Sequence, residues 1–186
     1  MRSGMILGAS IALATFAAAE PSLRHSGVSS ARTLNASDRA FAAAAASSTS
    51  ATVETSKLAM LLATTPVQAL AQQVRQDAEK RQAELGAVVA DLPDPPQTGP
   101  ALTPERQQMH HRLAVLEGPA FDQAYMQQVL DDERRQLARF ERHAREGSDA
   151  GLKSFAEKTL PTLHAHLRLT QARAKRLGSD GAIPEP

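Results

Sequence analysis

The stretch from Pro119 to Arg173 constrains the fold most, because its apolar residues recur at helical spacing through two long runs. In the first run Phe121, Tyr125, Val129, Glu133, Leu137 and Phe140 lie three or four residues apart and share one helix face. In the second, Leu152, Phe155, Thr159, Leu163, His166, Thr170 and Leu177 do the same. Gly147-Ser148-Asp149 between them reads as a tight turn. The stretch is therefore expected to form a helical hairpin. Each apolar stripe carries one titratable side chain near its middle, Glu133 or His166.

The rest of the chain is expected to follow the same rule. Alanine supplies much of the apolar content, only 3% of residues are aromatic, and tryptophan is absent, a balance that favours helix over sheet. A chain of 186 residues suffices for one domain with a core. Ser37 followed by Asp38 reads as the start of a helix, and Thr65-Pro66 and Thr103-Pro104 read as two more starts. In the first helix two neighbouring stripes alternate, Ala40 to Leu61 and Phe41 to Leu62, interrupted by the hydroxyl-rich patch Ser47-Ser48-Thr49-Ser50. In the second, Val67, Leu70, Val74, Asp77, Arg81, Leu85 and Val88 give the inner face.

The Pro-rich segment 91–103 cannot continue a helix and reads as a crossover. The expectation is all-α: helices over 37–64, 65–91, 103–117, 119–147 and 149–177, two antiparallel hairpins making a four-helix bundle with one short extra helix in the connection. Pro161 is expected to kink the last helix, and residues 178–186 read as a frayed tail.

Residues 1–19 resemble an export signal. Arg2 is followed by an apolar run from Met5 to Phe16 and by Ala17-Ala18-Ala19. That run is too short to span a bilayer well. Residues 20–36, rich in serine, read as a flexible linker that includes His25. The expected location is periplasmic or secreted, with no integral span in the mature chain and at most peripheral contact with the envelope.

The formal net charge is +1, and without the leader, which holds Arg2 and no acid, the two signs balance. Nothing in this steers the chain toward nucleic acid. The absence of cysteine excludes disulfides, thiolate metal sites and a lipid-modified N-terminal cysteine. Gly-x-Ser-x-Gly and Gly-rich phosphate loops are absent too, so the expectation is a non-catalytic module.

One constellation stands against that bland reading. Each long helix carries an ionisable group on or beside its apolar stripe: Glu54, Asp77, Glu133 and His166, with Asp132 adjacent to Glu133 and able to replace it after a small rotation. Bundle proteins bind metal with such inward groups, and this donor set suits iron, manganese or zinc. The Glu-x-x-His pair of dinuclear sites is missing. The alternative is that these groups are structural and pair with Arg81 or Thr159. His110, His111 and His143 are expected on solvated faces, and His166 rather than His164 is expected to point inward.

Ser37-Asp38-Arg39-Ala40-Phe41, Phe121-Asp122-x-x-Tyr125 and Thr159-Leu160-Pro161-Thr162-Leu163 followed by His166-Leu167 resemble an exported bacterial family, domain of unknown function 4142. The family carries an outer-membrane protein label. The resemblance covers about Ser37 to Arg173 and implies a ferritin-like four-helix bundle, secreted or periplasmic, with no established activity. Relatives often hold an Asp-His pair in the second helix and another in the third long helix, where this chain has Asp77-Ala78 and Asp132-Glu133. Glu54, Asp77, Asp132 and His166 fall where the resemblance places site residues.

Overall fold

The helical spacing resolves into five helices in a computed structural model, which describes residues 32–96 and 102–180. They are α1 (Ala36–Leu62), α2 (Thr65–Val89), α3 (Pro104–Ala114), α4 (Gly118–Glu146) and α5 (Ala150–Asp180). There is no strand among the described residues. The expected export signal, and all of the expected linker before Arg32, lie outside the described residues, as do residues 181–186 of the expected tail.

α1 pairs with α2 and α4 with α5, each couple joined by a short turn. The hairpins meet along α1–α4 and α2–α5, and α3 lies against α1 and α4. The four long helices therefore stand at the corners of a square, in a helical bundle.

The helix starts differ from expectation in an instructive way. Asn35, not Ser37, caps α1, its side chain accepting from the Asp38 backbone N–H at 2.8 Å. Thr64, not Thr65, precedes α2, with Pro66 in the first turn. Gly118, which falls between the helices expected over 103–117 and 119–147, opens α4 with a φ of 56°, a left-handed conformation that favours glycine.

These shifts release two carboxylates for another task. Asp38 is buried at the start of α1 and accepts from the backbone N–H groups of Ser148 (3.1 Å) and Asp149 (3.0 Å), in the turn of the other hairpin. Asp122 is buried near the start of α4 and accepts from the backbone N–H of Thr64 at 3.0 Å and from the Thr64 hydroxyl, in the turn of the first hairpin. Each hairpin thus sends one acid into the other's turn, where it satisfies donors that a helix start leaves open. Outside the Asp38 lock, Arg32 ties Asp149 to the end of α2 through Val88 O (2.6 Å) and Asp91 (2.7 Å).

Each lock sits beside an apolar cluster. At one end Phe41, Leu85, Phe140, Leu152 and Phe155 pack together. At the other, Val67, Leu113, Phe121, Tyr125 and Met126 do so. Burying each of these large side chains stabilises the fold by roughly 1.5–3 kcal/mol. α1 turns Phe41, Ala45, Ser48 and Ala59 inward, whereas Ala40 and Leu61 of its other stripe are exposed.

Candidate functional site

Between the two apolar clusters the bundle carries a polar layer, and its residues form a closed circuit. Each long helix contributes two side chains three or four residues apart, the spacing that sets neighbours on one face. The Arg81 Nε of α2 donates to Thr49 Oγ1 of α1 at 3.2 Å. Asp77 Oδ2 of α2 meets His166 Nε2 of α5 at 2.7 Å. Thr170 Oγ1 of α5 donates to Glu133 Oε1 of α4 at 3.1 Å. Gln136 Nε2 of α4 donates to Thr52 Oγ1 of α1 at 3.3 Å and closes the ring. Within this ring every adjacent pair of long helices is bridged.

The layer is strongly desolvated. Thr49, Arg81, Glu133, Gln136, His166 and Thr170 are all buried. Burial lifts the Glu133 carboxyl to about 7, against the pull of the Thr170 hydrogen bond and the Arg81 charge. Burial also lowers the Arg81 guanidinium to about 10, although Asp77 and Glu133 favour its charged form. It holds the His166 imidazole below its ordinary value despite the hydrogen bond to Asp77. Burial thus favours the neutral imidazole, whose Nε2–H tautomer donates to Asp77 Oδ2. Arg81 Nη1, Glu133 Oε2 and Gln136 Oε1 have no hydrogen-bond partner. The cavity they line is about 10 Å³, the scale of a single water molecule.

The five candidate metal ligands fare differently. Asp77, His166 and Glu133 all reach the layer, but the hydrogen bond of Glu133 goes to Thr170, and Asp77 lies at the half-buried margin. Asp132 also borders the small cavity, but its hydrogen bonds go to Arg106 of α3 (3.2 Å), Arg135 (2.8 Å) and Gln128 (2.7 Å). Glu54 sits on the outer side of α1, paired with Lys57 at 2.8 Å. Two residues beyond Thr52, it is rotated by about 200° from the inward position. Among the described residues, no group of three or more His, Cys, Asp or Glu is arranged to hold a metal ion.

Other expectations separate in the same way. His166 is buried and His164 exposed. His143, expected on a solvated face, is buried: its ring stacks on Phe41 with centroids 3.7 Å apart, and Phe41 draws it into the core. The partner of Glu133 is Thr170, not Thr159, whose hydroxyl donates to its own helix at Phe155 O. From the sequence Thr52 and Gln136 have no role, Thr49 reads only as part of a hydroxyl-rich patch, and Asp38 and Asp122 only as a first-turn acid and as part of the family's motifs. A signal for the acids exists: Asp38-Arg39-Ala40-Phe41 and Asp122-Gln123-Ala124-Tyr125 repeat Asp-x-Ala-aromatic at the starts of the two hairpins.

Residues 24–173 match the family described as "Domain of unknown function (DUF4142)". The chain belongs to that family. Its fold is similar to the crystal structure of a DUF305 protein from Streptomyces coelicolor that is named as secreted, with a TM-score of 0.63 and 17% sequence identity over 76% of this chain and 92% of that one. At that identity the likeness speaks for the fold alone. Among curated proteins, none matches at a significant level. No described helix of this DUF4142 chain is long and apolar enough to cross a membrane.

Proposed function

We propose that this DUF4142 protein is an exported, non-catalytic binding or structural module, a ferritin-like four-helix bundle whose polar layer sets helix register. The observation that carries this reading is the closed circuit of side-chain hydrogen bonds. Its acid–base groups are tied across helix interfaces, around a cavity too small to admit a substrate. Buried polar pairs cost stability relative to apolar packing, and their best-attested use is to single out one register among several. The leader-like residues 1–19 support export.

Metal binding through Glu54, Asp77, Asp132, Glu133 and His166 has only the Asp77–His166 contact in its favour. Elemental analysis of protein purified from its native compartment, with sequencing of its N-terminus, tests the reading. The expected result is protein without stoichiometric metal, beginning near Glu20, in the envelope or medium. Stoichiometric iron, manganese or zinc that disappears in His166→Ala would overturn the non-metal reading. Full-length chain confined to the cytosol would overturn export.

A further inference from the structure

The last turns of α4 present a second group of polar side chains, outside the central layer. Arg139, Arg142 and His143 lie at i, i+3 and i+4 and line a pocket of about 290 Å³ between α4 and the start of α1, where Ser37 and Phe41 form the facing wall. His143 is only 5% exposed, and its Nε2 has no hydrogen-bond partner. The nearest acid, Asp38, stands 3.6 Å away, and the hydrogen bonds of its carboxylate go to the Ser148 and Asp149 backbone. Arg139 Nη1 is likewise buried without a partner. Buried donors left open in this way are costly, and a ligand is one way to satisfy them.

Arginine outnumbers acid on the walls of the pocket, which carry Arg139, Arg142 and Glu146. Arg139 lies near Arg106, Arg135 and Arg142, and burial together with these like charges pushes its guanidinium below its ordinary value. Asp132 is already paired with Arg106 and Arg135. Glu146, which is exposed, is the one acid among the residues that line the pocket, and Asp38 stands behind the His143 ring. The dipole at the end of α4 accounts for cations in its last turn, such as Arg145, but not for Arg139 two turns earlier. Gly147 leaves room for the His143 ring, because a Cβ there would stand 2.7 Å from His143 Nε2 and 2.6 Å from its carbonyl oxygen.

We propose that the pocket between α1 and the last turns of α4 binds a phosphate group, held by the Arg139 and Arg142 guanidinium groups and by His143 Nε2–H. A guanidinium fork matches phosphate oxygens, and donors from three side chains suit an ion with three free oxygens better than a carboxylate with two. The phosphate could come from free inorganic phosphate or from a phosphomonoester lipid headgroup. The inference deepens the binding half of the reading above. Its failure would leave metal content and N-terminal processing, which test that reading, unchanged.

The test is titration of the mature chain with inorganic phosphate at constant ionic strength, followed by calorimetry and by the phosphorus NMR linewidth. Circular dichroism checks that Arg139→Gln, at a half-buried position, and Arg139→Gln/Arg142→Gln, the second at an exposed one, remain helical. The expected result is saturable binding that weakens about tenfold in the single variant and more in the double, as loss of charge-assisted hydrogen bonds requires.

A second arm sediments the protein with vesicles of phosphatidic acid, whose headgroup is a phosphomonoester with three free oxygens, in phosphatidylcholine. Vesicle binding that depends on Arg139, with no saturable uptake of free phosphate, assigns the pocket to a headgroup. The proposal is overturned if wild type shows neither mode, or if the double variant binds as wild type does.

Discussion

The two ends of the bundle are built on the same short sequence and put it to different surroundings. At one end Asp38 locks the α4–α5 turn, and Phe41 three residues later enters the core; at the other Asp122 locks the α1–α2 turn, and Tyr125 does so. In each case the acid faces outward from the hairpin that carries it and inward to the turn of its partner. What differs is the company. Phe41 stacks on His143, whose Nε2 is unpaired, in a pocket lined by two arginines. Tyr125 stacks on Phe121 with centroids 5.6 Å apart, and Asp122 borders a larger cavity with Gln123, Gln127 and Leu177. The repeated tetrapeptide holds the architecture, and the residues that are not repeated give each end its chemistry.

Removing each lock in turn tests whether they are equivalent. Asp38→Ala removes the acceptor of two backbone N–H groups in a partly exposed turn, and should cost about 3 kcal/mol in urea-unfolding midpoints extrapolated to water. Asp122→Ala strands one backbone N–H and one hydroxyl that can turn to solvent, and should cost about 2–3 kcal/mol. The locks lie about 40 Å apart, the length of α1. The double variant should therefore show the sum of the two losses to within about 0.5 kcal/mol. A sum that falls well short would mean that the ends share one network.

The layer between the ends gives the next largest effect. The folded protein holds Glu133 protonated up to about 7, well above its ordinary value of 4.5. Between these values the folded state binds a proton that the unfolded chain has released, so this group's contribution to stability falls as pH rises. Glu133→Gln keeps the shape and removes the titration. Its stability relative to wild type should rise by about 2–3 kcal/mol between pH 5 and pH 8. Parallel stability curves would show that Glu133 titrates normally.

The smallest effect sharpens the Asp122 lock. Thr64→Ala removes the hydroxyl but leaves the backbone donor to Asp122, and should cost about 1 kcal/mol. A loss as large as that of Asp122→Ala would place the whole lock in the side-chain hydrogen bond.

Much of the fold was legible because helix period is a local property. Phe121, Tyr125, Leu152, Phe155 and Leu163 announce their faces by spacing alone, and their burial follows. Inward placement of Glu133 and His166 followed from the same wheel. What spacing could not show is which neighbour each polar group meets. Glu54 and Asp132 are near their helices' inner faces in sequence, yet a rotation of one or two residues carries them to Lys57 and Arg106. His143 has charged neighbours in the chain, and only the arrival of Phe41 from a helix a hundred residues earlier buries it.

By itself, then, the sequence determined the helices, their hairpin pairing and the presence of titratable groups midway along them, because these depend on residues within a few turns of one another. The tertiary structure alone decided that Asp38 and Asp122 reach across to the opposite turns, that four pairs of side chains close one ring, and that Arg139 and His143 keep buried donors unpaired. Each of those outcomes depends on the relative rotation of packed helices, where about 100° separates a buried contact from an exposed one.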